Sequence, residues 1–298
     1  MSTVATTLRL GTRGSRLAIA QAHEAATALV RLLGQGSVEM IEIRTKGDAI
    51  SERRPAGHLV VGDGQFTGEL ERALLERRID VAVHSLKDLP TASNPELRLG
   101  AILERGDPRD CLLSRHAGGL DGLPFGARIG TSSVRRAAQL AAARVDLVAR
   151  HIRGNVDTRL LRLEASEYDA LLLAAAGLDR LGVPVSEDDR LSLEVMLPAP
   201  GQGALALQVR ADDVAMLASL DHGPTRVSVE TERALLRALG GGCLAPLGAL
   251  AEVADGHLRL RAAYEGRNGL TRVDLSGPTD HPGDIVAEAT ARIREATA

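Results

Sequence analysis

The sequence predicts an α/β protein of three domains: two similar α/β units facing each other across a cleft, and a small α+β unit at the C-terminal end. Three observations carry this. The chain has 298 residues, enough for two or three domains. Two pairs of segments repeat one plan: "LGTRGSRLAIAQA" (10–22) with "IGTSSVRRAAQLA" (129–141), and "ERRIDVAVHSLKDL" (76–89) with "SEYDALLLAAAGLDRL" (166–181). From about Gly223 the pattern changes to a helix, three strands and a closing helix.

In chain order, "VATTLRLGT" reads as a strand and Ser15 as the cap of a helix. Ala18, Ala22, Ala25, Leu29 and Leu32 recur at helical spacing on that helix. "VEMIEIRT" is a second strand. "DAISERRPAGHLVVGDGQ" has no period and predicts a mobile loop. Thr67 opens a short helix with Leu70, Ala73 and Leu74 inward. "IDVAVH" is a continuous apolar strand of the kind buried on both faces of a parallel sheet. Pro90 then forces Leu89 toward extended backbone. The chain is expected to cross between the like units near "ERGDPRD" (104–110) and "LPAPGQG" (197–203), the mark of a hinged pair. This places domain 1 at 4–103 with 203–221, domain 2 at 108–199 and domain 3 at 224–298. In domain 3, "TRVSVETERALLRAL" is a helix stopped by a glycine run. "PLGALAEV", "HLRLRAAY" and "LTRVDLS" are antiparallel strands with Asp255-Gly256 as a hairpin turn, and "GDIVAEATARIREA" is the last helix.

Composition narrows the function classes. Net charge is -3, there is no Trp, and aromatics make up 1% of the chain, which argues against a nucleic-acid partner. No apolar leader and no long apolar run is visible, so the expected location is cytoplasmic with no membrane partner. Cys111 and Cys243 cannot form a disulfide framework, and reduced thiols are expected. Cys111, in "RDCLLS", reads as packing. The eight histidines lack metal-ligand spacing, so no metal is expected, and His84 reads as structural. The default cation is Arg: only Lys46 and Lys87 are lysines among 36 basic residues, and each lies close to an aspartate, Asp48 or Asp88.

Ligands of open α/β sheets bind beyond the carboxyl ends of the strands, where "HSLKDLP" falls. Adjacent charges on a loop can be a solvated ion pair. The placement of one of only two lysines at this strand end favours Lys87 and Asp88 as site residues. "GTSSVRRAAQ" sets Thr131, Ser132 and Ser133 at a helix N-terminus, a ready anion site. Arg135 and Arg136 add bidentate donors. "GTRGS" (11–15) repeats the arrangement with Arg13 and Ser15, "RHIRGNVDTR" adds Arg153 and Arg159 around an Asn155 cap, and "AGLDR" adds Arg180. An Arg-rich chain has arginines over its whole surface. These recur at strand-to-helix turns while net charge is negative, which points to a local polyanion site. Neither the Walker spacing nor G-x-G-x-x-G is present, which argues against a nucleotide.

Along nearly its whole length the chain resembles the hydroxymethylbilane synthase (porphobilinogen deaminase) family. The resemblance rests on "RLGTRGSRLAIAQ", "RTKGD", "DVAVHSLKDLP", "ERGDPRD", "GTSSVRR", "RGNVDTRL", "AAAGLDRLG", "PAPGQGA" and "GGGCLAPLG", in that order. It implies two domains like type II periplasmic binding proteins, with a crossed-over chain, plus a small third domain. It implies a monomeric transferase that condenses four porphobilinogen molecules head to tail with loss of ammonia. The product is the linear tetrapyrrole hydroxymethylbilane. Growth starts on a dipyrromethane cofactor held by a thioether, at the position of Cys243. The family's catalytic aspartate matches Asp88. Its cofactor and substrate contacts match Arg13, Ser15, Lys87, Thr131, Ser133, Arg135, Arg136, Arg153, Arg159 and Arg180, beside Ser132 from the anion site. Phe66 matches a lid aromatic and Gln202 the second crossover. The lid departs from the family's Gly-Lys-Gly pattern, with Asp63 and Gly68 where lysines are usual; Arg53, Arg54 or His58 is expected to compensate. Two other readings stay open on the residues. A non-catalytic two-domain solute-binding protein for a polycarboxylate would explain the arginines but needs export. A transferase with a transient intermediate on Cys243 needs a reactive resting thiol.

Overall fold

The computed structural model describes residues 7–34, 37–44, 67–92, 94–242 and 245–298. The chain divides into two compact units, Met1–Arg105 with Ala204–Arg226, and Gly106–Gly203 with Val227–Ala298. The first stretch holds β1 (Thr7–Thr12), α1 (Arg16–Leu33), β2 (Ser37–Glu42), α2 (Gly68–Leu75), β3 (Val81–Ser85), a 3-10 turn over Leu86–Asp88, and β4 (Leu97–Ile102). Then come β5 (Asp110–Ser114), β6 (Arg128–Gly130), α3 (Val134–Ala143), β7 (Val148–Arg150), α4 (Val156–Glu164), β8 (Ala170–Ala174) and α5 (Ala175–Arg180). The last stretch holds β9 (Leu205–Arg210), α6 (Gly223–Ala238), β10 (Leu247–Ala254), β11 (His257–Gly266), β12 (Gly269–Pro278) and α7 (Pro282–Thr297).

The sequence echo is a topological one. The first sheet has the order β2-β1-β3-β9-β4, and the second β7-β6-β8-β5. In each, a central strand is parallel to both neighbours: β1 to β2 and β3, and β6 to β7 and β8. In each, the next strand is antiparallel, β9 beside β3 and β5 beside β8. The caps repeat as well. Ser15 Oγ accepts from Ala18 N–H at 3.3 Å, and Ser133 Oγ accepts from Arg136 N–H at 3.4 Å.

Apolar residues on both faces of β3 explain why it lies inside its sheet. Val81 and Val83 pack into the cluster under α1, with Ala22, Ala25 and Leu29. Ala82 faces the other cluster, against Leu70, Ala73 and Leu74 of α2, as that helix's spacing predicts. Each fully buried leucine is worth roughly 1.5–3 kcal/mol. In the second unit Cys111 is fully buried with Ile152, Leu171 and Leu178, so it packs as a small apolar residue. Burial pushes its thiol up to about 12, which leaves it unreactive.

The C-terminal strands form an antiparallel sheet β10-β11-β12 covered by α6 and α7. Asp255 (φ 50°) and Gly256 (φ 75°) join β10 to β11 in the doubly left-handed turn expected of Asp-Gly. The glycine run ends α6 as the sequence predicts. Gly240 takes φ 71°, its N–H donates to Arg237 C=O at 2.9 Å, and Gly241 N–H donates to Leu236 C=O at 3.0 Å. These two bonds make a Schellman cap. A Cβ on Gly241 would stand 2.6 Å from Ala245 Cβ, so glycine is required there by contact as well.

Nothing lies within 4 Å of a Cβ built on Gly240, so its requirement is purely conformational. Gly240→Val is expected to lower the unfolding free energy by about 1–2 kcal/mol. Gly240→Asn, which tolerates left-handed backbone, should cost less than half of that. Urea titration followed by circular dichroism checks both.

Candidate active site

In the first unit, β1 and β3 deliver the predicted residues from their carboxyl ends. Thr12 is buried, and its Oγ1 donates to Ala18 C=O at 3.0 Å, tying the strand end to the first turn of α1. Arg13 and Ser15 follow, both half-buried. After β3, Leu86 and Leu89 are buried one 3-10 turn apart. Leu86 N–H donates to Ala204 C=O at 3.0 Å and Leu89 N–H to Leu86 C=O at 3.1 Å. The two apolar anchors leave Lys87 half-buried and Asp88 exposed. Among the described residues, no hydrogen bond or ion pair engages the Asp88 carboxylate, so it is available to a ligand.

In the second unit the strand-to-helix turns gather the rest. Thr131 is buried, and its Oγ1 accepts from Ser133 N–H at 3.2 Å. Ser132 Oγ donates to Ile152 C=O and accepts from Ile152 N–H. Asn155 caps α4, its Oδ1 accepting from Thr158 N–H at 2.9 Å. Arg153 Nε donates to His151 Nε2 at 2.9 Å, and Arg180 Nη2 to Gly203 C=O at 3.0 Å. Arg159 Nε donates to Gly154 C=O at 2.9 Å, and among the described residues no carboxylate pairs with it. Burial, and then the charge of Arg136, hold Arg159 down to about 10.

Arg135, Arg136 and Gln202 converge on a residue that the sequence reading did not single out, Asp110. It is fully buried, and Arg135 and Arg136 are 4% and 7% exposed. Asp110 accepts from Arg135 Nη1 at 2.7 Å, Arg136 Nη2 at 2.6 Å and Gln202 Nε2 at 2.9 Å. Arg135 also donates to Leu197 C=O, Arg136 to Leu172 C=O and Gln202 to Pro108 C=O. The two guanidiniums hold Asp110 far below the usual carboxylate range, against a large burial cost. One buried anion faces two buried cations. With Arg159 nearby, the cluster keeps a net positive charge that invites an anionic ligand. Twenty-five residues separate Asp110 from Arg135. The signal in the sequence was the second aspartate of "ERGDPRD", beside a crossover.

Cys243 and Phe66 lie outside the described residues, as do Lys46, Asp48, Arg53, Arg54, His58 and Asp63. Gly242 C=O accepts from Ala245 N–H at 3.0 Å, and these two residues flank Cys243 and Leu244. No described helix is long and apolar enough to cross a membrane.

These features define an α/β protein with a buried cluster of net positive charge at its strand-to-helix turns. Residues 8–218 match the family profile described as "Porphobilinogen deaminase, dipyromethane cofactor binding domain", and residues 227–294 match "Porphobilinogen deaminase, C-terminal domain". Similar proteins include a porphobilinogen deaminase of Desulforudis audaxviator, 48% identical and covering 96% of this chain and 94% of that one. Porphobilinogen deaminase 1 of Streptomyces coelicolor is 46% identical over 96% of this chain and 95% of that one. A porphobilinogen deaminase of Acidothermus cellulolyticus is 48% identical over 93% and 86%. Among solved structures, the ligand-binding component of an ABC-type import system from Staphylococcus aureus shares 11% identity over 79% of this chain and 74% of that one, with a TM-score of 0.39. The chain belongs to the porphobilinogen deaminase family. It is a transferase that condenses four porphobilinogen molecules, with loss of ammonia, into hydroxymethylbilane, and it binds a dipyrromethane cofactor.

Removing the charge of Asp110 would strand two buried guanidiniums. Asp110→Asn is expected to cost about 3–5 kcal/mol at neutral pH. The folded-state pKa of Asp110 lies below its unfolded value of about 3.9, so its contribution is present above that pH and lost as pH falls through the folded value. The gap between wild type and Asp110→Asn should therefore narrow below about pH 4 in urea unfolding.

Proposed function

We propose that Asp88 is the catalytic carboxylate and Cys243 the thioether attachment point of the dipyrromethane. The cofactor and growing chain are held by Arg13, Ser15, Lys87, Thr131, Ser132, Ser133, Arg135, Arg136, Arg153, Arg159 and Arg180, with Phe66 in a lid and Gln202 bracing the second crossover. The observation that supports this most directly is the uncompensated cation at Arg159 and around Asp110.

Each pyrrole carries an acetate and a propionate, so cofactor and product are polyanions. A desolvated cation without a counter-ion fits such a group. The bound dipyrromethane supplies the pyrrole carbon to which the first substrate is joined. The protein's part is electrostatic and positional. Arg159, Arg153 and Arg180 take carboxylates, while the Ser133 and Ser15 turns offer backbone N–H groups at helix N-termini. Arg135 and Arg136 act from beneath, since their guanidiniums are committed to Asp110; their surplus charge reaches the ligand as field.

Ammonia loss leaves a cation on the incoming pyrrole. The exposed Asp88 carboxylate is a counter-ion for it, worth a gross attraction of about 4 kcal/mol at ~4 Å and an effective dielectric of about 20. Asp88 also accepts pyrrole N–H bonds and moves the proton between attacked carbon and leaving amine. Lys87, its neighbour in sequence, meets a ligand carboxylate. Domain 3 (224–298) carries the attachment cysteine, and the enzyme acts as a cytoplasmic monomer with porphobilinogen as its small-molecule partner.

Asp88→Ala is expected to lower the rate of tetrapyrrole formation at least about 100-fold, with the cofactor still attached. Arg159→Leu should chiefly raise KM, with Arg159→Lys intermediate. Full turnover in Asp88→Ala, or an unchanged KM in Arg159→Leu, would contradict these roles.

A further inference from the structure

The mechanism leaves unused the buried imidazole of His84, which sits on β3 one residue before the strand's last position. Its side chain is 6% exposed. It lies on the same face of β3 as Ala82, toward α2. In the β3–β9 register, Ala82 opposes Gln208 and His84 opposes Ala206, so Gln208 is the diagonal neighbour of His84. His84 Nε2 is 3.0 Å from Gln208 Oε1, and Gln208 Nε2 is 3.0 Å from Glu71 Oε1. Gln208 is 2% exposed, and Glu71 is on the first turn of α2.

The chemistry of the three groups fixes the direction of the chain. An ionised carboxylate only accepts, so the Gln208 amide must turn its NH2 to Glu71. Its oxygen then faces His84 and requires a proton on Nε2. The reverse amide orientation would set two oxygens against each other. Burial, and then the positive charge of Arg13, pull the imidazole down to about 4, so it is neutral under working conditions. The relay joins three elements with different duties. β3 leads directly into Lys87 and Asp88, β9 is the strand after the second crossover, and α2 follows Phe66 in the sequence.

We propose that Gln208 is a positioning residue for Asp88: it holds His84 as the Nε2–H tautomer and ties the catalytic strand to α2 through Glu71. The role rests on Asp88 being the catalytic carboxylate. Losing the relay leaves His84 and Glu71 without their buried partners. The strand end can then shift relative to the ligand, and small shifts at a reacting group are costly. The effect should fall on kcat, because Gln208 itself binds no substrate.

The test uses the holoenzyme. Imidazole nitrogen NMR, with His84 assigned by comparison with His84→Gln, is expected to show Nε2 protonated and Nδ1 bare at neutral pH. Gln208→Leu should lower kcat about ten-fold while KM stays within about two-fold, and should mix the tautomers. If Gln208→Leu does not fold, the near-isosteric Gln208→Glu serves as the single change. The exchanged pair Glu71→Gln with Gln208→Glu rebuilds the relay. The amide introduced on α2 donates to the carboxylate introduced on β9, and that carboxylate accepts from His84. This pair should recover both kcat and the tautomer. A wild-type His84 carrying its proton on Nδ1 overturns the proposal. So does an unchanged kcat with only a lowered unfolding midpoint, or an exchanged pair no better than Gln208→Glu alone. Asp88→Ala assayed alongside separates the two readings: retained turnover there removes Asp88 from the chemistry, whereas the NMR result judges the relay independently.

Discussion

One carboxylate set against two guanidiniums organises the second unit. Asp110 has no access to water, and Arg135 and Arg136 have almost none. Bringing three such charges out of water costs several kcal/mol per ion. Two contacts below 3 Å return part of it, and the Gln202 amide and two main-chain carbonyls satisfy more of the polar groups. The residual is an excess of positive charge. A neutral cluster would have needed a second acid, and among the described residues none pairs with Arg135, Arg136 or Arg159 besides Asp110. The second unit therefore holds a buried excess of positive charge, the feature on which the proposed polycarboxylate site rests.

The same contacts hold backbone. Arg135 and Gln139 both donate to the Leu197 carbonyl, and Leu197 N–H donates back to Gln139 Oε1 at 2.8 Å. Ala249 of β10 then bonds Pro198 C=O at 2.8 Å. The fully buried Glu232 of α6 accepts from Gly201 N–H and Ala251 N–H. One face of α3, the segment 197–203 and the C-terminal sheet are thus a single hydrogen-bonded body. Its charge excess and its rigidity have one origin. The first unit is arranged on the opposite sign: apolar Leu86 and Leu89 present an acid, Asp88, with no internal partner among the described residues. Arginines suit the carboxylates that must be held throughout, and an accessible carboxylate suits the cation formed only in passing.

Much of this was legible in sequence where the cause is local. Ser15, Ser133 and Asn155 act as caps because a short polar side chain before a helix has few other uses. Asp255-Gly256 and the Gly240 stop follow from backbone conformations that other residues resist. The repeated Gly-Thr-Ser plan carried through to sheet order because strand, turn and helix spacing are local too. Asp110 was not legible, because its partners lie 25 and 26 residues away and its pattern is that of any acid in a polar loop. Arg135 and Arg136 read as donors to a ligand. Their burial against β5 and β8 shows instead that both guanidiniums are committed to Asp110 and to main-chain carbonyls. The His84 relay was hidden for the same reason, since Gln208 is 124 residues distant.

The proposed mechanism requires a permanent primer: surplus positive charge would keep a covalently tethered polyanion in place while Asp88 acts on each new unit. Intact-mass spectrometry of the purified, turnover-competent protein tests this most directly. The predicted result is one species heavier than the sequence by a dipyrromethane, with the adduct mapping to Cys243 and absent from Cys243→Ser. An active protein at the unmodified sequence mass, with Cys243 open to alkylation, would contradict it.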